Sequence, residues 1–168
     1  MRRVKLRALA PADVPRLFRC VNDPRVSRHQ VSFRVPLSFD DERDFYVKMR
    51  KSPTDRVLSF TTERGRWLGT LGLHGIDWVD RCCELGVLVA DPKDWSKGWA
   101  AAAIRRGVAF AFDTLHLHRL EVPLLARHQV ARAMYERLGF FPEAVLRERR
   151  FVDGAYEDVV VLSLLATD

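Results

Sequence analysis

The sequence predicts one α+β domain, and three observations predict it. Residues 57–90 read as three apolar-rich strands parted by Arg64-Gly65 and Val79-Asp80-Arg81, an antiparallel meander. An Ala-rich stretch from Trp99 to about Leu115 follows with helical spacing. The chain closes on two strand-like runs around Asp153-Gly154, a dipeptide suited to a tight hairpin turn. At 168 residues the chain is long enough for one well-buried core and short for two.

The elements follow in order. Val4, Leu6 and Leu9 mark a first strand, with Lys5 and Arg7 alternating outward. Pro11-Ala12-Asp13 starts a helix on which Val14, Leu17, Phe18 and Val21 share a face, and Asn22-Asp23-Pro24 stops it. Residues 25–36 have no strong period and read as a loop or short helix. Ser38 opens a second helix with Asp41 as capping partner, and Ser52-Pro53 ends it. Strands are expected over Val57–Thr62, Trp67–Ile76 and Cys82–Ala90. In the long helix Ile104, Val108, Ala111 and Leu115 share one face. Leu120–Leu125 is a strand and Val130–Leu138 a short helix closed by Gly139. Val145–Val152 and Ala155–Leu165 form the final hairpin. The order β-α-α-β-β-β-α-β-α-β-β contains no repeat or linker, so residues 1–168 are expected to form one domain.

Composition excludes several classes. No apolar run reaches a membrane span and the N-terminus lacks a signal-peptide core, so a cytoplasmic protein is expected. Cys20, Cys82 and Cys83 are an odd set, expected to be free thiols. No His/Cys spacing resembles a metal site. The net charge is +6, and residues 1–50 hold 12 Lys/Arg against 6 Asp/Glu while the remainder is balanced. No basic motif interleaved with aromatics accompanies that excess, so nucleic acid is not the expected partner.

Asp91-Pro92-Lys93-Asp94-Trp95-Ser96-Lys97-Gly98-Trp99-Ala100-Ala101 joins the strand ending near Ala90 to the Ala-rich helix. A helix start offers free backbone N–H groups and a dipole that favours an anion. Gly98 lets backbone approach a ligand, and Ala100 and Ala101 keep the first turn bare. Pro123 in the following strand fits an edge without a ladder partner.

With Tyr135-Glu136-Arg137-Leu138-Gly139-Phe140, Gly69-Thr70-Leu71-Gly72-Leu73-His74, Glu84-Leu85-Gly86 and Asp153-Gly154-Ala155-Tyr156, the loop resembles the GNAT N-acetyltransferases over nearly the whole chain. The likeness is greatest to the branch of ribosomal-protein and other protein N-terminal acetyltransferases. It implies a mostly antiparallel sheet, splayed between strands 4 and 5, with helices on both faces. It implies acetyl-CoA as cosubstrate, its pantetheine paired with the backbones of Val87, Leu88 and Val89. Its diphosphate would rest on the N–H groups of Trp95, Ser96, Lys97, Gly98, Trp99, Ala100 and Ala101. Tyr135 aligns with a tyrosine that protonates the departing thiolate. Glu84 is the first candidate for the base that deprotonates the amine, ahead of Asp77 and His74. His128 stands where many relatives carry an Asn that contacts the coenzyme, and an imidazole can still donate one bond. Arg127 and Arg132 are candidates to meet the 3′-phosphate.

The implied reaction is direct acetyl transfer to a primary amine in a ternary complex. Arg16, Arg19, Arg25, Arg28, Arg34, Arg147, Arg149 and Arg150 predict a basic acceptor side, which would repel a polycation and favour a neutral or acidic acceptor such as a peptide N-terminus. A small-molecule (antibiotic or polyamine) acetyltransferase, a non-catalytic acyl-CoA-binding module and an RNA-associated protein are the alternatives. Family members often dimerise, so a homodimer is compatible with the likeness.

Overall fold

The computed structural model describes residues 2–28 and 35–168. The chain runs through β1 (Val4–Ala8), a 3-10 turn, α1 (Val14–Val21), α2 (Pro24–Ser27) and α3 (Phe39–Lys51). The meander follows as β2 (Arg56–Thr62), β3 (Trp67–Asp77) and β4 (Cys82–Val89). Then come α4 (Trp99–Ala109), β5 (Arg119–Leu125), α5 (Gln129–Glu136), β6 (Phe141–Val152) and β7 (Ala155–Leu165). The strands form one sheet in the order β1-β2-β3-β4-β5-β7-β6.

Every neighbouring pair is antiparallel except β4–β5, which is parallel and short. It extends only from Cys82↔Arg119 to Glu84↔Glu121. Beyond that point β4 stays paired with β3 as far as Val89, and β5 with β7 as far as Leu125. The two strands therefore part into a fork whose base is Glu84 and Glu121. Pro123 falls two residues past the last β4–β5 pair, so its missing N–H removes no bond from that ladder.

Alternation along the strands separates the two faces. Gly107 of α4 packs on Leu71, placing α4 on the face of Leu71, Leu73, Leu85, Leu120 and Leu162. Those five leucines are at most 2% exposed, and burial of each side chain contributes about 1.5–3 kcal/mol. Ser59 points the other way and donates to Asp13 at 2.8 Å, which places the start of α1 on the opposite face. Val14, Leu17, Cys20 and Val21 of α1 are buried, and Leu17, Cys20 and Val21 cluster with Leu88. Asp13 is fully buried and also accepts from Arg7 at 2.6 and 2.7 Å and from the Ala10 N–H at 3.0 Å. Burial alone would raise its pKa, but these hydrogen bonds hold it below the usual carboxylate range.

Several expectations are met closely. Ser38 and Asp41 cap α3 reciprocally, with the Asp41 N–H on Ser38 Oγ at 3.1 Å and the Ser38 N–H on Asp41 Oδ2 at 2.7 Å. Asp153 and Gly154 both have positive φ, as a tight hairpin needs. The three cysteines are free, and burial pushes the Cys20 and Cys83 thiols up to about 12.

Other boundaries differ. The long helix is α-helical only to Ala109. Phe110–Thr114 is a π-turn, with the Leu115 N–H bonded to the Phe110 carbonyl at 3.1 Å. Strand β6 begins at Phe141 rather than Val145, because an edge strand accommodates Pro142. The weakly periodic stretch holds α2, and its residues 29–34, Arg34 among them, lie outside the described residues. No described helix is long and apolar enough to cross a membrane.

Candidate active site

The loop after β4 carries the first part of the site. Asp91 caps a 3-10 turn over Pro92–Asp94 by accepting from the Lys93 N–H at 2.9 Å. Ser96 (φ +57°) and Gly98 (φ +82°) then turn the chain through left-handed backbone. Glycine takes that conformation at Gly98 without the steric cost a Cβ would bring. The first α4 bond runs from the Ala102 N–H to the Gly98 carbonyl at 3.1 Å. The N–H groups of Trp99, Ala100 and Ala101 thus precede the helical ladder, where an anion is stabilised. Ser96, Lys97 and Gly98 are exposed, while Trp99 is buried and Trp95 half-buried. The Trp95 indole donates to the Val89 carbonyl at 3.0 Å and ties this loop to the end of β4.

Lys97 does not stand free as a phosphate charge. Its Nζ lies 4.0 Å from Asp94, whose carboxylate also takes Arg66 at 2.6 and 3.1 Å. Arg66 holds Asp94 below the usual carboxylate range. Arg2 supplies a cation that sequence reasoning did not place here. Its guanidinium lies 4.6 Å from the centroid of the Trp99 ring, at the helix start.

The fork is the second part. Val87, Leu88 and Val89 lie on β4 beyond its last pair with β5, so their far edge is without a strand partner. A Cβ on Gly69 would collide with the Leu88 carbonyl, so glycine lets β3 and β4 close up there.

Glu84 and Glu121 close the base of the fork, and with His74, Gly75, Cys82 and Cys83 they line a cavity of about 390 Å³. His74↔Glu84 and Glu84↔Glu121 are register pairs, so the three side chains form one row on the α1 face. Glu84 is exposed and forms no ion pair among the described residues. Glu121 is held by Arg119 at 2.7 Å, and Arg119 also binds Glu143. Asp77 is used locally, accepting from the N–H groups of Val79 and Asp80 at 2.8 Å each.

Tyr135 lies on α5, 2% exposed, with its ring edge-to-face on Phe140 at 5.2 Å. Burial raises its pKa, so the side chain is a neutral phenol that still carries the proton a general acid needs. It belongs to the core on the α4 face, whereas Glu84 projects from the other. The acid candidate thus belongs to one face of the sheet and the base candidate to the other. His128 is half-buried at the start of α5, with its N–H on the Leu125 carbonyl at 2.8 Å. Arg127 is engaged with Glu157 at 2.7 Å, Asp153 at 3.2 Å and the Arg28 carbonyl at 3.2 Å. Arg132 pairs with Glu136 at 2.8 Å. The structure thus gives both candidates for the 3′-phosphate carboxylate partners.

The arginines expected on the acceptor side differ in their surroundings. Arg16 and Arg25 are paired with Asp13 and Asp23, and Arg147 and Arg149 are exposed on the edge strand β6. The cavity at the fork is lined by carboxylates and an imidazole instead. The residues lining that cavity come from β3, β4 and β5.

Comparison with known proteins places this geometry. Residues 3–141 match the family model described as "Acetyltransferase (GNAT) domain". The chain is 28% identical to "Putative ribosomal N-acetyltransferase YdaF" of Bacillus subtilis, over 96% of this chain and 91% of that protein. It is 27% identical to the spermidine N(1)-acetyltransferase of Vibrio cholerae, over 95% of this chain and 91% of that protein. The crystal structure of a V. cholerae spermidine N-acetyltransferase in complex with CoA and spermine superposes with a TM-score of 0.91 at 26% identity, covering 98% of this chain and 96% of that one. A dodecameric structure of the V. cholerae enzyme superposes at 0.85, with 26% identity over 98% and 95% of the two chains. A forked sheet and a bare helix start beside it, in a chain whose residues 3–141 match that family, establish that this chain belongs to the GNAT family and is an acetyl-CoA-dependent N-acetyltransferase.

Proposed function

We propose that the chain transfers acetyl from acetyl-CoA to a primary amine of a small cationic molecule, of the polyamine kind, by direct attack in a ternary complex. The observation that carries this is the pair Glu84↔Glu121 at the base of the fork. Like charges directly opposite in a sheet are destabilising. Arg119 compensates Glu121, which leaves the Glu84 carboxylate for a cation brought by the acceptor. The likeness to enzymes named for spermidine, one of them bound to spermine, supports the same reading.

The roles follow from position. The open edge of Val87, Leu88 and Val89 suits the pantetheine amides, in the place a further strand would take. The N–H groups from Trp95 through Ser96, Lys97, Gly98, Trp99 and Ala100 to Ala101 suit the diphosphate, and His128 faces the same ligand from the start of α5. Glu84 receives the ammonium and begins its deprotonation. The neutral amine attacks the thioester carbonyl, and Tyr135 gives its proton to the departing thiolate. No covalent enzyme intermediate is involved. Residues 1–168 act as one domain, since β7 completes the far side of the fork by pairing along β5.

The test is steady-state kinetics on an amine panel at two ionic strengths. Spermidine should show a higher kcat/KM than an acidic peptide, with a KM that rises with salt. A clear preference for the acidic peptide would overturn the reading. It would favour the peptide N-terminus, a second reading supported by the likeness to YdaF and by exposed Arg147 and Arg149.

The working unit in this reading is a homo-oligomer. Strand β6 leaves Phe141, Val145, Leu146 and Phe151 exposed along the sheet edge, a patch of the kind that marks an interface. The V. cholerae relative is dodecameric. A monomeric mass by light scattering would remove this part.

A further inference from the structure

We propose that His74 is a second member of the proton path, taking the proton that the acceptor ammonium must lose, and that Asp55 is its positioning residue. This rests on the reading above and extends it to residues that reading does not use. His74 stands beside Glu84 in the row that crosses β3, β4 and β5. Its Nδ1 lies 3.0 Å from Asp55 Oδ1. Asp55 comes from the segment between α3 and β2 and is itself fixed. Its Oδ2 accepts from Ser52 Oγ at 2.6 Å, and its Oδ1 from the Gly75 N–H at 3.4 Å. Burial would raise the Asp55 pKa, but the bonds from Ser52, His74 and Gly75 keep it below the usual range, so it is an anion at neutral pH. An anion on Nδ1 assigns the proton to that nitrogen and leaves the lone pair on Nε2.

Nε2 lies over Gly72, where a Cβ would collide with it. Gly72 pairs in register with Gly86 of β4, and a Cβ on Gly86 would meet nothing within 4 Å. The basic nitrogen therefore borders a strip without side chains that leads from the cavity to the open half of β4. The His74 side chain is 41% exposed, which gives the proton a route to water. Imidazole is better matched than a carboxylate to accepting a proton near neutral pH.

The step balances as follows. The ammonium, held at Glu84, loses one proton by way of that carboxylate to Nε2 and becomes a neutral amine. Its nitrogen forms the bond to the thioester carbon as the C–S bond breaks. The second nitrogen proton replaces the one Tyr135 gave to sulfur. The imidazolium returns its proton to solvent. The charged and titratable groups facing His74 are Asp55, Glu84, Glu121 with its partner Arg119, and the Cys82 thiol.

The test is the pH profile of kcat/KM with whichever amine of the panel reacts fastest, so a wrong acceptor class shows in the panel and not in the profile. His74→Gln should lower kcat/KM about 100-fold and remove the acidic limb. Acetyl-CoA affinity by calorimetry should stay unchanged. Asp55→Asn should lower kcat about tenfold and leave the acceptor KM near its original value, because the amide no longer fixes the imidazole tautomer. An unchanged limb in His74→Gln with intact coenzyme binding would overturn the proposal. If His74→Gln loses coenzyme binding, Asp55→Asn decides, and an unchanged kcat there overturns it equally.

Discussion

The two flanks of the fork are made of different material. On the side proposed for the coenzyme the groups open to a ligand are backbone, presented by Gly98, by a bare alanine turn and by a strand edge. On the side proposed for the acceptor they are side chains, Glu84, Glu121 and His74, from three strands. Backbone recognition suits a cosubstrate that never changes. Side-chain recognition lets one fold accept different amines through few substitutions.

Four experiments would sharpen or break that contrast. The largest effect is expected where the flanks meet. Tyr135→Phe removes the phenol proton and should lower kcat about 100-fold or more with acetyl-CoA affinity unchanged, checked by thiol release and calorimetry. Next, Gly98→Val should weaken acetyl-CoA binding about tenfold or more and leave the acceptor KM alone. A β-branched residue is strained at φ +82° and shifts the N–H groups beside it. The mirror experiment is Gly86→Leu, which fills the open strip. It should raise the acceptor KM about tenfold and spare coenzyme affinity, since losing the fit costs about 1.4 kcal/mol per decade. Equal effects of both glycine substitutions on both ligands would dissolve the distinction.

The smallest effect concerns stability. Asp13 anchors the acceptor-side helix with its pKa held below the unfolded value. Its contribution is present in full above the ordinary carboxylate range and is lost as pH falls through the lowered value. The urea midpoint should drop between pH 6 and pH 3, and by less in Asp13→Asn, whose midpoint at pH 6 is already lower.

The same contrast explains what could be read from the residues. Gly98, Ala100 and Ala101 announce a phosphate-type loop because a helix start is a local feature. Ser38 with Asp41, and Asp153 with Gly154, specify a cap and a turn within a few residues. The parting of β4 from β5 came with the family likeness and Pro123 supported it. The cavity at the base of the fork was legible only in part. Glu84 and His74 stood out as base candidates, but Glu121 joins them only through strand register, and Asp55 reaches His74 from the segment before β2. Arg127, free to meet a phosphate on paper, folds onto Glu157 and Asp153 of the last hairpin. Strand β6 hid its first residues because an exposed edge has no burial rhythm to read.

A sheet that stops pairing after Glu84 is an unfinished one. If the coenzyme supplies the absent rung, then a substrate doubles as a structural member. Those peptide hydrogens of residues 85–89 that are not bonded to β3 would exchange rapidly with deuterated solvent in the unliganded enzyme and slow once the thioester docks. Each catalytic turnover would then partly unbuild and rebuild the fold's central seam.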